Sequence, residues 1–167
     1  MSIVMKTERI LIASLLSTAA LAGCGPIDPG PDIPEQASYC STNFDGDFSG
    51  TRKVDLGFGP PADFQAYAEG EEIPLITGGQ GSAMITPIVR VEKGAGDGPE
   101  PCFLVRVEDS GEGFSSEWNV QFYEEGGYLF SDGALYFITY SEGDVALSTT
   151  VMGQGFTGTS TVNVVLK

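Results

Sequence analysis

From Thr51 onward apolar and polar residues alternate with a period of two, and no stretch of ten residues carries a helical stripe. Val54, Leu56 and Phe58 are interleaved with Lys53, Asp55 and Gly57. Ile85, Val89 and Val91 alternate with Thr86, Ile88 and Arg90, and Phe103, Val105 and Val107 with Leu104, Arg106 and Glu108. Successive side chains of a strand point to opposite faces, so each set predicts a strand with one apolar face turned inward. The clearest is "EWNVQFYE", where Trp118, Val120 and Phe122 share one face and Asn119, Gln121 and Tyr123 the other.

Further strands are predicted over residues 134–140, 144–151 and 159–166. They are punctuated by "EEGG", "SDG", "SEGD" and "GQG", which supply the positive φ and side-chain acceptors that turns need. "ALYFITY" is apolar on both faces and predicts a central strand covered on two sides, with its tyrosines in the core. "EKGAGDGPEP" predicts a mobile loop between two strands. About seven to nine short strands with turns at regular spacing predict an all-β chain, a single antiparallel β-sandwich.

One glycine-rich bend, "PLITGGQGSAMITPIVRV", raises the question of phosphate binding. A phosphate loop needs a following helix N-terminus and usually a lysine beside a serine or threonine, whereas this segment continues as an alternating strand and has no lysine until Lys93. Pro74 and Pro87 also favour strand edges or bulges. The bend is predicted to be a turn between strands.

The N-terminus carries a different signal. Lys6 and Arg9 precede the apolar run "ILIASLLSTAALAG", too short and small-sided for a membrane span but fitting the core of a secretory signal. It closes on "LAGC", which resembles the lipobox of bacterial lipoproteins. That resemblance implies a signal peptide over 1–23, cleavage after Gly23, diacylglycerol on the sulfur of Cys24 and acylation of the new amino terminus. Gly25 follows the cysteine where an aspartate would favour inner-membrane retention, so the implied location is the cell envelope, at the outer membrane of a Gram-negative bacterium. The acyl chains each bury many methylenes at about 0.8 kcal/mol apiece, so the tether is lasting without a spanning helix. Residues 24–39 hold prolines at 26, 29, 31 and 34 and little apolar bulk, which predicts an extended spacer reaching at most roughly 45 Å. Residues 40–167 are then the folded domain.

Charge and residue content narrow the chemistry. The 167 residues include 8 basic and 23 acidic side chains. Setting aside Lys6, Arg9 and Glu8 leaves a net charge of about −16 on the mature chain at neutral pH. Such a field repels phosphate backbones and anionic headgroups, so nucleic acid is excluded as a partner and contact with the membrane is expected through the lipid alone. There is no histidine, which excludes Ser-His-Asp and Cys-His catalysis and histidine metal sites. With Cys24 lipidated, Cys40 and Cys102 remain as an even pair in an oxidising compartment and predict a disulfide, two free buried thiols being the alternative.

A second resemblance covers residues 54–91. "VDLGFG", the phenylalanine of "ADFQAYAEGEEIPLITG", then "GQGS" and a strand ending "VRV" are similar to a segment of uncharacterised secreted lipoproteins of myxobacteria-like organisms, with Ser82 replacing the second glycine of the last turn. That resemblance implies an immunoglobulin-like sandwich and no assigned activity.

Three constellations are candidates for chemistry. In "NFDGDFSGT", Asp45, Asp47 and Ser49 stand at alternate positions before Gly50, matching the front half of a calcium loop. Position twelve is Leu56 instead of a bidentate glutamate, and Arg52 stands where an apolar residue normally packs. A weak calcium site and an acidic turn are both expectations, and no other cofactor is expected. The pairs Glu71–Glu72, Glu108–Asp109 and Glu124–Glu125 are adjacent on strands and face opposite ways, so none is by itself a glycosidase pair. Gln80 could staple its turn or touch a ligand. Tyr123, with Tyr136 and Tyr140, could offer a stacking platform for sugars. These features predict a structural or binding role toward a protein or glycan, without catalysis. A calcium-dependent carbohydrate-binding module and a carboxylate-based hydrolase are the alternatives.

Overall fold

The computed structural model describes residues 35–41, 48–78, 80–111 and 113–167. The lipobox with Cys24, the signal segment, the spacer up to residue 34, and Asp45 and Asp47 lie outside the described residues. Among the described residues the chain is all-β apart from one turn of 3-10 helix at Pro61–Asp63. The strands are β1 (Gly50–Thr51), β2 (Val54–Phe58), β3 (Gln65–Ala66), β4 (Glu71–Ile73), β5 (Ile76–Thr77), β6 (Ala83–Ile85) and β7 (Ile88–Glu92). They continue with β8 (Cys102–Asp109), β9 (Ser115–Glu125), β10 (Tyr128–Ser131), β11 (Phe137–Ile138), β12 (Gly143–Gly153) and β13 (Phe156–Leu166).

β13, β12, β8, β9, β10, β7 and β2 are hydrogen-bonded neighbours in that order, with β3 beyond β2. β1 and β4 lie along the other edge of β13, both parallel to it. β1 and β2 are two parts of one stretch of chain: Gly50 and Thr51 pair with Phe156 and Thr157, and Val54 pairs with Val91. The ladder running from β13 round to β2 therefore ends on the stretch beside which it began. β9 is shared in the same way. Its residues 115–121 pair with β8, and its residues 122–125 pair with β10. Strands that pass between sheets make corners of this kind.

The inward faces make one core. Val105, Val107, Val120, Phe122, Val89 and Val91 have no exposure, and Phe103 stands 5.0 Å from Phe122 and 5.1 Å from Phe156 between ring centres. Gly158 has no Cβ for a reason: one would lie 2.7 Å from the Arg52 carbonyl oxygen, so the corner between β1 and β2 approaches β13 only over a glycine. Between β9 and β10 the two-residue turn is Gly126–Gly127, with φ of 61° and 83°, the conformation that a tight hairpin requires of both positions. On the outer face, Ser148 and Thr161 join hydroxyls across β12 and β13 at 2.9 Å, and Arg106 pairs with Glu108.

The predicted inward sets on β2, β8 and β9 hold, except that Phe58 is exposed and Trp118 half-buried, and the strands predicted over 144–151 and 159–166 are β12 and β13. Other expectations change. The chain has thirteen strands among the described residues in mixed pairing, in place of a single antiparallel sandwich of about seven to nine, because two-residue strands are too short to show a period. The run 85–91 is two strands: Pro87 separates β6, in a three-stranded sheet with β5 and β11, from β7. "ALYFITY" is not a doubly covered central strand. Within it Phe137 and Ile138 form a two-residue strand on the edge of the small sheet, Ala134 makes an isolated bridge with Gln36, and Tyr140 is 66% exposed. The loop after β7 is anchored, since Arg52 donates to Asp97, as does the Gly94 amide.

Residues 36–39, placed with the spacer by composition, belong to the fold. The Ala37 amide donates to Ala134, the Gln121 amide donates to Ser38, and Ala37 is buried. Cys40 follows and is bonded to Cys102, with Cα atoms 6.1 Å apart and 62 residues of separation. A double Cys40→Ala/Cys102→Ala variant is expected to lose about 4 kcal/mol of stability from the closed-loop entropy, read as a lower midpoint in urea unfolding. A second expectation concerns Thr149, which is fully buried on β12 with its hydroxyl unpartnered. Thr149→Val removes that hydroxyl at nearly constant shape and should stabilise by about 1 kcal/mol, raising the thermal midpoint by a few degrees.

Candidate functional site

Residues 59–87 leave the main ladder after β2 and re-enter it at β7, although β2 and β7 are direct neighbours. The excursion begins with Gly59, φ 87°, and Pro60–Pro61, which cannot continue the ladder. It returns as β3 on β2, crosses to lay β4 along β13, and turns through Pro74 into the β5–β6 hairpin. Between this excursion and the strands beneath it lies a cleft of about 780 Å³. Its walls are mainly apolar: Phe58 and Ile88 from the ladder, and Ile73, Pro74 and Ile76 from the excursion. The volume is within the range of small-molecule sites, roughly 300–1,000 Å³.

Its polar groups are few. Tyr67 stands with its ring 5.8 Å from that of Phe58, in contact with the core, and burial together with the charge of Glu71 pushes its hydroxyl well above the ordinary phenol range. Tyr123, on β9, lines the cleft as well. Its hydroxyl is also raised, first by burial and then by Glu125 and Asp132. Both phenols are therefore neutral donors. The Ala68 amide donates to Glu71 Oε2 at 2.7 Å, Glu72 pairs with Lys167, and Glu35 completes the acidic lining. The Ser131 hydroxyl is engaged, accepting from the Val89 amide at 3.1 Å and donating to the Gly133 carbonyl at 2.9 Å.

Of the residues singled out from sequence, Tyr123 and the pair Glu71–Glu72 line the cleft. Gln80 is exposed at the tip of the β5–β6 hairpin, where Gly78 accepts from the Gly81 amide and donates to Ser82, a turn between strands. Ser49 directly precedes β1. Among the described residues no three Cys, Asp or Glu side chains are grouped to hold a metal ion. The tyrosines fall into separate ring clusters: Tyr123 beside Phe130, and Tyr140 edge-on to Phe114 at 5.8 Å. The carboxylate pairs are engaged structurally. Lys93 holds Glu124 and Arg106 holds Glu108, while Asp109 is buried and accepts from the Thr139 hydroxyl and from the Gly111 amide at 2.7 Å.

The residues that sequence reasoning missed are Tyr67 and the pair Pro60–Pro61 of the cleft wall, while Glu71 was noted only as half of an adjacent carboxylate pair. Their only local mark is "GPPADF", a proline pair that must interrupt a strand. Because Tyr67 is kept neutral by the fold, its contribution is intact below the ordinary phenol range. It is lost as pH rises through about 10, where the unfolded chain ionises first. Tyr67→Phe is therefore expected to shrink the fall in stability between about pH 8 and about pH 11, measured by urea unfolding at both.

Comparison with protein-family models, with characterised proteins and with solved structures gives no match.

Proposed function

We propose that this chain is a lipid-anchored protein of the cell envelope whose β-domain binds a ligand and carries no catalysis. The observation that carries the binding reading is the cleft of about 780 Å³, walled by apolar side chains and edged by a few polar ones. The anchoring reading rests on "LAGC" and is supported by the Cys40–Cys102 bridge, which suits an oxidising compartment. In this reading residues 1–23 are removed and Cys24 carries the lipid. A spacer over 25–34 holds a β-sandwich of immunoglobulin-like kind off the outer membrane. No helix among the described residues is long and apolar enough to cross a membrane.

The anchoring is tested in cells. The parent protein should incorporate labelled palmitate and stay with membranes after an alkaline wash. Cys24→Ser should take up no label and move to the soluble fraction, and a variant that still sediments with membranes would overturn the anchor.

A further inference from the structure

The cleft has a sign as well as a shape. Three carboxylates, Glu35, Glu71 and Glu72, and two phenols contribute to its lining, and no lysine or arginine does. Lys167 occupies Glu72 from outside that lining, which leaves Glu71 and Glu35 as the charges the cleft itself presents. Aromatic rings stand among the apolar side chains: Phe58 and Tyr67, 5.8 Å apart, and Tyr123.

We propose that the cleft takes an organic cation, a molecule with a flat apolar body and a positively charged nitrogen, the body lying between Phe58, Ile73 and Ile88 and the nitrogen facing Glu71 and the tyrosine rings.

Two physical arguments select a cation over a neutral or anionic ligand of the same bulk. A carboxylate in a partly desolvated, apolar-walled site acts through a lower dielectric than water and attracts a positive charge strongly, while a carboxylate or phosphate ligand would be repelled without any basic side chain to receive it. Aromatic faces add cation–π attraction, which is larger where water is excluded. The Tyr67 phenol lies in the same field: beside burial, the Glu71 charge disfavours a tyrosinate at residue 67, and that charge favours a cation there.

The proposal rests on the binding reading above, and the test separates the two. Three dyes that brighten in apolar clefts are titrated into the full chain carrying Cys24→Ser, so that no acyl chain competes: neutral Nile red, cationic thioflavin T and anionic 8-anilinonaphthalene-1-sulfonate. Thioflavin T is expected to bind at least about tenfold tighter than the anionic dye. Glu71→Gln should weaken thioflavin T by about tenfold with Nile red unchanged, and Glu71→Lys should reverse the preference of the two charged dyes. Thermal melting checks that each variant is folded, and Glu35→Lys replaces Glu71→Lys if that variant is not. If all three dyes bind with equal affinity, or the substitutions leave the order unchanged, the cation assignment fails and the binding cleft stands. If none brightens, both fail.

Discussion

Two stretches of chain that each serve two neighbours hold this domain together. Residues 50–58 lend their first part to β13 and their last to β7, and β9 divides between β8 and β10. A sheet that ends on itself leaves few unpaired edges, and it fixes register, because a one-residue slip on any strand would turn an apolar face outward all the way round. The weak point is the step between β1 and β2, where Arg52 and Lys53 make no ladder of their own. Arg52 secures it: its guanidinium lies 3.8 Å from the centre of the Phe156 ring on β13 and pairs with Asp97 in the loop after β7. One side chain so ties the switch to both partners. On β7, Arg90 grips Asp55 of β2 through two nitrogens at 3.0 and 2.6 Å and stacks on Phe64 and Tyr128, closing the same seam from outside. Both ion pairs are largely shielded from solvent, where a planar guanidinium can use its face and its edge together.

This seam explains what could be read from the chain. β8, β9, β12 and β13 run for eight to eleven residues with one face against the core, so their alternation is long enough to announce them. β10 was hidden because Leu129, Phe130 and Ser131 are buried in succession and show no period. β1, β3, β5 and β11 are two residues each, and a pattern of period two cannot be seen in two residues. Arg52 and Asp97 looked like an ordinary charge and a glycine-rich loop, since their meeting depends on a closure that no local window contains. The disulfide was legible from counting cysteines, whereas the part played by residues 36–39 was not: Ala37 and Ser38 are small, polar-flanked, and take their place only against Ala134 and Gln121.

Buried polar groups mark where the fold spends hydrogen bonds to define itself. Asp109 ends β8 inside the protein and accepts from the Thr139 hydroxyl, which in turn accepts from the Ser141 amide at 3.1 Å, fixing the irregular run between β11 and β12 to the end of β8. A carboxylate in that position is costly unless its oxygens are satisfied, so the network selects one path for a segment that apolar packing alone would leave loosely specified. Thr149 shows the opposite case, a core hydroxyl that specifies nothing.

The candidate site sits where the ladder can tolerate additions. A circuit whose strands are shared at both corners has little freedom to rearrange, and a ligand that required its strands to part would work against the whole core at once. The excursion over residues 59–87 lends Ile73 and Ile85 to that core, but β2 and β7 pair directly with each other beneath it. Proline and glycine at its start free it from the ladder, and β4 and the small sheet give it just enough backbone pairing to stay in place. The cleft therefore has one rigid wall and one appended wall, the arrangement in which specificity can change through the appended segment while the scaffold is kept. Glu71 stands on that appended wall, which makes the sign of the cleft a property of the excursion and not of the fold.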